Sequence, residues 1–211
     1  MKSPDADARA ARMPRAGDLE PPPGPPRLQG LPPVLARHTR CLVLGSFPGA
    51  ASLAAQQYYG HPRNHFWPLL SAIWGVDLVA LPYARRLAEV RRRGLGIWDA
   101  YASCRREGSL DADIEAAALN DFAALRRRAP ALRLVLHNGA ESARVTRTLQ
   151  ALGYATRRLP SSSPANASWS FERKLAAWRA ALEDPDGMIG ANGMNGMNGE
   201  DGMKPTAWAA R

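Results

Sequence analysis

The sequence predicts an α/β protein, a three-layer αβα sandwich around a short central, mainly parallel sheet of about four strands. Three observations carry this. Short apolar runs at Cys41–Leu44, Leu95–Trp98 and Leu134–Leu136 have the length of buried strands, and Ala155–Leu159 supplies a fourth candidate. Apolar residues between and after these runs recur at helical spacing. Strands alternating with helices call for crossover connections, hence a parallel sheet with helices on both faces.

The ends of the chain differ from its middle. Residues 1–33 hold the proline cluster PPPGPPRLQGLPP, and residues 184–211 open into the repeat MIGANGMNGMNGEDGM. Neither composition buries enough apolar surface to offset its ordering entropy, so both are expected to be disordered tails around a folded domain at 34–183. The first strand breaks at Gly45, Pro48 and Gly49 into a loop. Tyr58, Tyr59, His61, Asn64, His65, Phe66 and Trp67 then crowd rings and hydrogen-bonding groups into ten residues. Such a mixture suits a flat ligand with polar edges. Phe66, Leu70, Ile73 and Trp74 mark a helix starting near Asn64, followed by an Arg-rich connector and the second strand. Ile114, Ala118, Phe122 and Leu125 predict a helix over 114–128, ended by Arg126, Arg127 and Arg128, which suit a helix C-terminus. The third strand closes on His137, Asn138 and Gly139. Val145, Leu149 and Leu152 mark a further helix, and the fourth strand enters the loop Pro160–Asn166. Phe171, Leu175, Trp178 and Leu182 stripe the last helix.

The net charge is +9, and nearly all the basic residues are Arg, with Lys only at 2, 174 and 204. That balance favours a polyanionic partner. Cys41 and Cys104 lie far apart and cannot supply an iron–sulfur or zinc ligand set. Of the four His, only His61 and His65 have helical spacing, and they straddle a proline with no carboxylate nearby. No metal and no cofactor are therefore expected. No apolar stretch approaches the roughly 20 residues of a membrane span, and the N-terminus has no signal-peptide core. A cytoplasmic, nucleoid-associated monomer without membrane contact is the expectation.

Four motifs in order, GSFPG, YYGHPRNHFW, HNG and LPSSSPAN, resemble those of the uracil-DNA glycosylase superfamily, most closely its hypoxanthine-DNA (deoxyinosine) glycosylase branch. The resemblance spans roughly residues 38–182. It implies a monofunctional enzyme that flips a deaminated base, hypoxanthine first, then uracil at G/U mismatches or xanthine, out of double-stranded DNA and hydrolyses its N-glycosidic bond. In much of the superfamily an Asp or Asn that activates water stands third in the first motif. Here that residue is Phe47, which cannot. The branch instead attributes catalysis to the Asn of HPxN, which is Asn64 here.

An amide is no strong base, but it orients water and stabilises developing positive charge through its carbonyl dipole. Asn64 also stands where an Asn N-cap is favoured, and the two roles are compatible. The resemblance assigns Tyr59 to stacking on the flipped base, with Tyr58 as its neighbouring alternative, and places Gly45, Ser46 and Phe47 at the base pocket. Asn138 is placed to read the base edge, offering a donor and an acceptor, and a plain turn before Gly139 is the competing account. Ser161, Ser162, Ser163, Pro164 and Asn166 are expected to grip phosphates, with His61 supporting the site or touching phosphate. Lys174, the one lysine of the expected domain, lies in the last helix, which favours direct hydrolysis by water over a Schiff base. Two other classes stay open: a nucleotide-dependent enzyme, although neither GxGxxG nor GK[ST] is present, and a catalytically silent DNA-binding module.

Overall fold

The computed structural model describes residues 26–183, so the expected tail segments 1–25 and 184–211 lie outside the described residues. In chain order the elements are β1 Arg27–Gln29, β2 Cys41–Gly45, α1 Ala50–Ala55, α2 Phe66–Trp74, α3 Tyr83–Arg92, β3 Leu95–Asp99, β4 Tyr101–Arg105, β5 Glu115–Leu119, α4 Leu125–Arg128, β6 Leu134–Asn138, α5 Thr146–Ala151, β7 Ala155–Leu159 and α6 Phe171–Glu183. The predicted four-stranded parallel sheet is present, in the order β3-β2-β6-β7. Parallel strands are covered on both faces, which is why the central ones are continuous apolar runs. Leu42, Val43 and Leu44 are all fully buried.

Alternation along each strand divides the core in two. Val43, Ile97, Leu134, Leu136 and Leu159 pack with Phe66, Leu69 and Leu70 of α2 and Trp178 of α6. Leu42, Leu44, Trp98 and Val135 face the other way, onto Phe122, Leu125, Val145 and Leu149. The Arg-rich connector is itself the helix α3, whose Val90 joins the first core. Among the described residues no helix is long and apolar enough to cross a membrane.

Two expectations are overturned. Residues 115–119 form a strand and not the first turns of a helix; β5 pairs antiparallel with β4, which pairs with β1 in a second sheet. The Ile114/Ala118 spacing fits a helix, but those backbone groups are satisfied by a neighbour distant in the sequence. Only 122–128 turns helically, opened by Asp121, whose carboxylate accepts from the Ala123 and Ala124 N–H groups. Residues 26–33, expected in the tail, belong to the fold. β1 lies along β4, Leu31 is buried, and the Leu31 carbonyl accepts a hydrogen bond from Tyr58 Oη at 3.0 Å.

The strand order fixes where a ligand site can form. From β2 the chain crosses first to β3 on one side and later to β6 on the other. The connections leaving β2 and β6 thus diverge and open a crevice at the carboxyl ends, at Gly45 and Asn138.

Candidate active site

Gly45 ends β2 in register with Asp99, which ends β3. A Cβ on Gly45 would overlap Asp99 Oδ1 and lie 3.4 Å from Tyr59 Oη, so only glycine lets the carboxyl and the phenol close over the strand end. Asp99 is 4 % exposed, and its Oδ2 has no hydrogen-bond partner among the described residues. Its main-chain carbonyl is held by Asn120 Nδ2 at 2.9 Å. Burial, reinforced by the Asp111 carboxylate and only partly opposed by Arg106, raises the Asp99 carboxyl from 3.8 to about 7.

Tyr59 adopts a left-handed backbone, φ 55°, and its ring stacks on Phe66 with centroids 3.8 Å apart and planes inclined by 22°. The hydroxyl is buried beside the Asn138 amide without closing a well-formed hydrogen bond. Burial, then the Asp99 charge, pushes it far above the ordinary tyrosine range. Tyr58, the alternative platform, is a core residue: it is 3 % exposed, and its carbonyl accepts from Trp67 Nε1 at 3.1 Å.

Asn138 is spoken for by the loop after β7. Its Nδ2 donates to Ser162 Oγ at 2.9 Å, and its Oδ1 accepts the Ser162 N–H at 2.8 Å. One further proton on Nδ2 and one further lone pair on Oδ1 remain for a ligand. Gly139, at φ 109°, lets this turn pack against Ser161; a Cβ there would sit 3.1 Å from the Ser161 Cβ. Ser162 is itself fully buried, and its carbonyl accepts the His65 N–H at 3.0 Å. It is therefore an internal clamp and does not reach the surface where a phosphate would lie. Ser161, Ser163, Pro164 and Asn166 are half-buried. Asn166 Nδ2 donates to the Ser161 carbonyl at 3.1 Å. Lys174, 1 % exposed, holds this loop from behind by donating to the carbonyls of Asn166 at 2.9 Å and Ser163 at 3.5 Å. Desolvation lowers its pKa.

Asn64 sits between these loops, half-buried, immediately before α2. Its Oδ1 accepts the Phe66 N–H at 2.9 Å, and its own N–H donates to the His61 carbonyl at 2.9 Å. His65, and not Asn64, is the N-cap residue of α2, but the Asn64 bond to the first helical N–H fixes the plane of the amide. His61 Nδ1 accepts the Arg63 N–H at 3.1 Å. His65 packs edge-on against Phe171 at 5.4 Å, and desolvation with Lys174 nearby lowers its pKa, so its ring is neutral at pH 7.

Phe47 does not join this group. It is 6 % exposed in the second core, under the Arg106 guanidinium at 5.2 Å, on the opposite face of the sheet from Tyr59 and Phe66. Ser46 Oγ donates to Asp111 Oδ1 at 2.5 Å, which ties the first loop to the segment after β4. Arg106 completes that tie through Nη2 to the Pro48 carbonyl at 2.5 Å. Asp99, Arg106 and Asp111 escaped the sequence reading. Asp99 had a signal, for it ends the apolar run GLGIWD at a strand's carboxyl end, where the other site loops begin. Among the described residues no group of three or more His, Cys, Asp or Glu gathers as a metal site.

The Uracil DNA glycosylase superfamily model matches residues 32–184. The chain is 43 % identical over 155 residues to a hypoxanthine DNA glycosylase of Methanosarcina barkeri, covering 74 % of this chain and 98 % of that protein. It is 39 % identical over 154 residues to a hypoxanthine DNA glycosylase of Methanosarcina acetivorans, covering 73 % and 97 %. A solution NMR structure of a candidate uracil DNA glycosylase from Methanosarcina acetivorans superposes with a TM-score of 0.69 at 37 % identity, over 75 % of this chain and 98 % of that one.

Proposed function

The chain belongs to the uracil-DNA glycosylase superfamily, and on that premise we propose that it is a monofunctional DNA glycosylase of base excision repair that removes hypoxanthine from double-stranded DNA. The reaction hydrolyses the N-glycosidic bond and leaves an abasic site. The observation that carries the reading is the Tyr59 ring, laid flat on Phe66, whose N–H holds Asn64 Oδ1, with its hydroxyl against Gly45 at the switch-point crevice. A flipped base stacked on such a platform gains roughly 1–3 kcal/mol. Asn64 works on the sugar side: its carbonyl dipole, oriented by the Phe66 N–H, stabilises the oxocarbenium ion and positions the attacking water. Asn138 meets the base edge with the valences that Ser162 leaves over, and Gly45 and Ser46 form the wall opposite.

Hydrolysis by water, without a Schiff base, accords with Lys174, whose ammonium is committed to two loop carbonyls. Phosphate contacts fall to Ser161, Ser163, Pro164, Asn166 and His61, beside the exposed Arg63 and Arg173. One chain carries both pocket and basic rim, so the enzyme acts as a monomer, on nucleoid DNA in the cytoplasm.

The test is strand cleavage after alkali, at neutral pH in EDTA, on duplexes containing one deoxyinosine or one deoxyuridine. Breaks at deoxyinosine alone are expected. Breaks at deoxyuridine alone would move the substrate to uracil, and breaks with neither would leave a silent DNA-binding module. Asn64→Ala, folded but fully active, would remove Asn64 from the chemistry.

A further inference from the structure

We infer that Asp99 is the general acid that protonates the departing base, an inference that rests on the glycosylase reading above. Two buried polar atoms at the crevice lack partners, Asp99 Oδ2 and Tyr59 Oη, and they flank the same bare backbone at Gly45. A buried polar atom without a partner is expensive, and a pair of them at a crevice calls for a bound water, a ligand or a catalytic role to account for it. Both atoms lie at the carboxyl ends of β2 and β3, next to the ring on which the flipped base stacks. A purine there offers ring nitrogens to a carboxylic acid.

The reaction needs such a group. When the C1′–N9 bond breaks, its electron pair stays on the base, and an unprotonated hypoxanthine leaves as an anion. Asn64 has no acidic proton to give, and His65 is neutral. The Asp99 carboxyl is a proton donor at neutral pH because burial holds its pKa at about 7. Its Oδ2 proton passes to N7 or N3 of the base as C1′–N9 breaks, so the base leaves neutral. Water then bonds to C1′, and the proton it sheds returns to the Asp99 carboxylate. Atoms and charge balance over the cycle, and no further reactant is required. Asn64 and Asp99 thereby divide the work between the sugar and the base.

Asp99 is faced by Arg106, Asp111, Tyr58, Tyr59 and Tyr83. The three phenols, all raised, stay neutral from pH 5 to 9. The Asp111 carboxylate raises Asp99, and Arg106 lowers it.

The experiment measures single-turnover excision from pH 5 to 9 on two duplexes, one with deoxyinosine and one with 7-methyldeoxyinosine, corrected for spontaneous loss. In the methylated base N7 is already quaternised and needs no proton; because that charge also acidifies N1–H, its rate is read as the ratio of variant to wild type at each pH. For the wild-type enzyme, the deoxyinosine rate should fall about tenfold per pH unit above about pH 7. Asp99→Asn should lower the deoxyinosine rate by roughly 10²-fold or more yet keep the rate on the methylated base. Asp111→Asn should move the limb to lower pH by removing a charge that raises Asp99. Equal losses on both substrates in Asp99→Asn, or an alkaline limb that survives in it, would overturn the assignment. Should Asp99→Asn not fold, a wild-type deoxyinosine rate with no alkaline limb near pH 7 would overturn it equally well. Wild-type inactivity on deoxyinosine would overturn the hypoxanthine reading itself, and this is seen before any variant is made.

Discussion

Asp99→Asn makes a prediction about stability that is independent of catalysis. In the folded protein the carboxyl titrates at about 7, against 3.8 when unperturbed, because burial disfavours its charged form. The native state therefore binds the proton more tightly than the unfolded chain does. That contribution is fully present below about pH 4 and is lost as pH rises through 7. A difference of roughly three pH units at about 1.36 kcal/mol each is about 4 kcal/mol, a large share of the 5–15 kcal/mol that stabilises an ordinary domain. Asparagine leaves its own buried amide unsatisfied, at a cost of about 1–3 kcal/mol, but this cost is the same at every pH. The slope is thus the clean observable. In urea unfolding, the stability of the variant relative to wild type should rise by about 3 kcal/mol between pH 5 and pH 8.5, equivalent to a Tm difference of roughly 6–12 °C for a domain of this size. Parallel pH profiles for the two proteins would show that Asp99 is not a buried, proton-binding carboxyl, and the general-acid role would fall with it.

Three further outcomes follow from contacts at the site. Gly45→Ala should abolish excision and lower the melting temperature, because the new Cβ collides with Asp99 Oδ1; a fully active variant would show that the carboxyl does not close over β2. Lys174→Met keeps the apolar stem but releases the carbonyls of Ser163 and Asn166, which should cost about 1.5–3 kcal/mol in urea unfolding. It should also weaken DNA binding more than it slows single-turnover excision, as measured by titration of a labelled duplex and by rate at saturation. Ser162→Glu should unfold or inactivate the protein by bursting the Asn138 clamp; weakened DNA affinity at unchanged stability would instead restore Ser162 to the surface.

Much of the architecture was legible because its signals are local. Leu42–Leu44 and Leu134–Leu136 are continuous apolar runs, a pattern that parallel strands covered on both faces require, and Gly45 and Gly139 mark where those strands stop. The motifs carry the loop positions for the same reason, so Asn64, Tyr59 and Asn138 could be singled out before their contacts were known. The helix predicted over 114–128 failed where periodicity is ambiguous. Ile114 and Ala118 have helical spacing, but β4 decides the conformation of Glu115–Leu119, and no window around residue 117 contains it.

What the sequence determined by itself is the α/β class, the four parallel strands, the polar loops at their carboxyl ends and, through motif order, the chemistry those loops serve. Only the tertiary structure decided which side chains turn inward. Phe47 lies two residues past Gly45, yet it packs on the opposite face from Tyr59. Ser162 stands between two half-buried serines and is the one that disappears into a clamp with Asn138. Asp99 has the formula of any surface aspartate. Its unpaired, proton-binding carboxyl exists because Gly45 on the adjacent strand has no side chain and because Tyr59 closes over both. Burial and charge coupling are sums over neighbours in space, and most of those neighbours are far away along the chain.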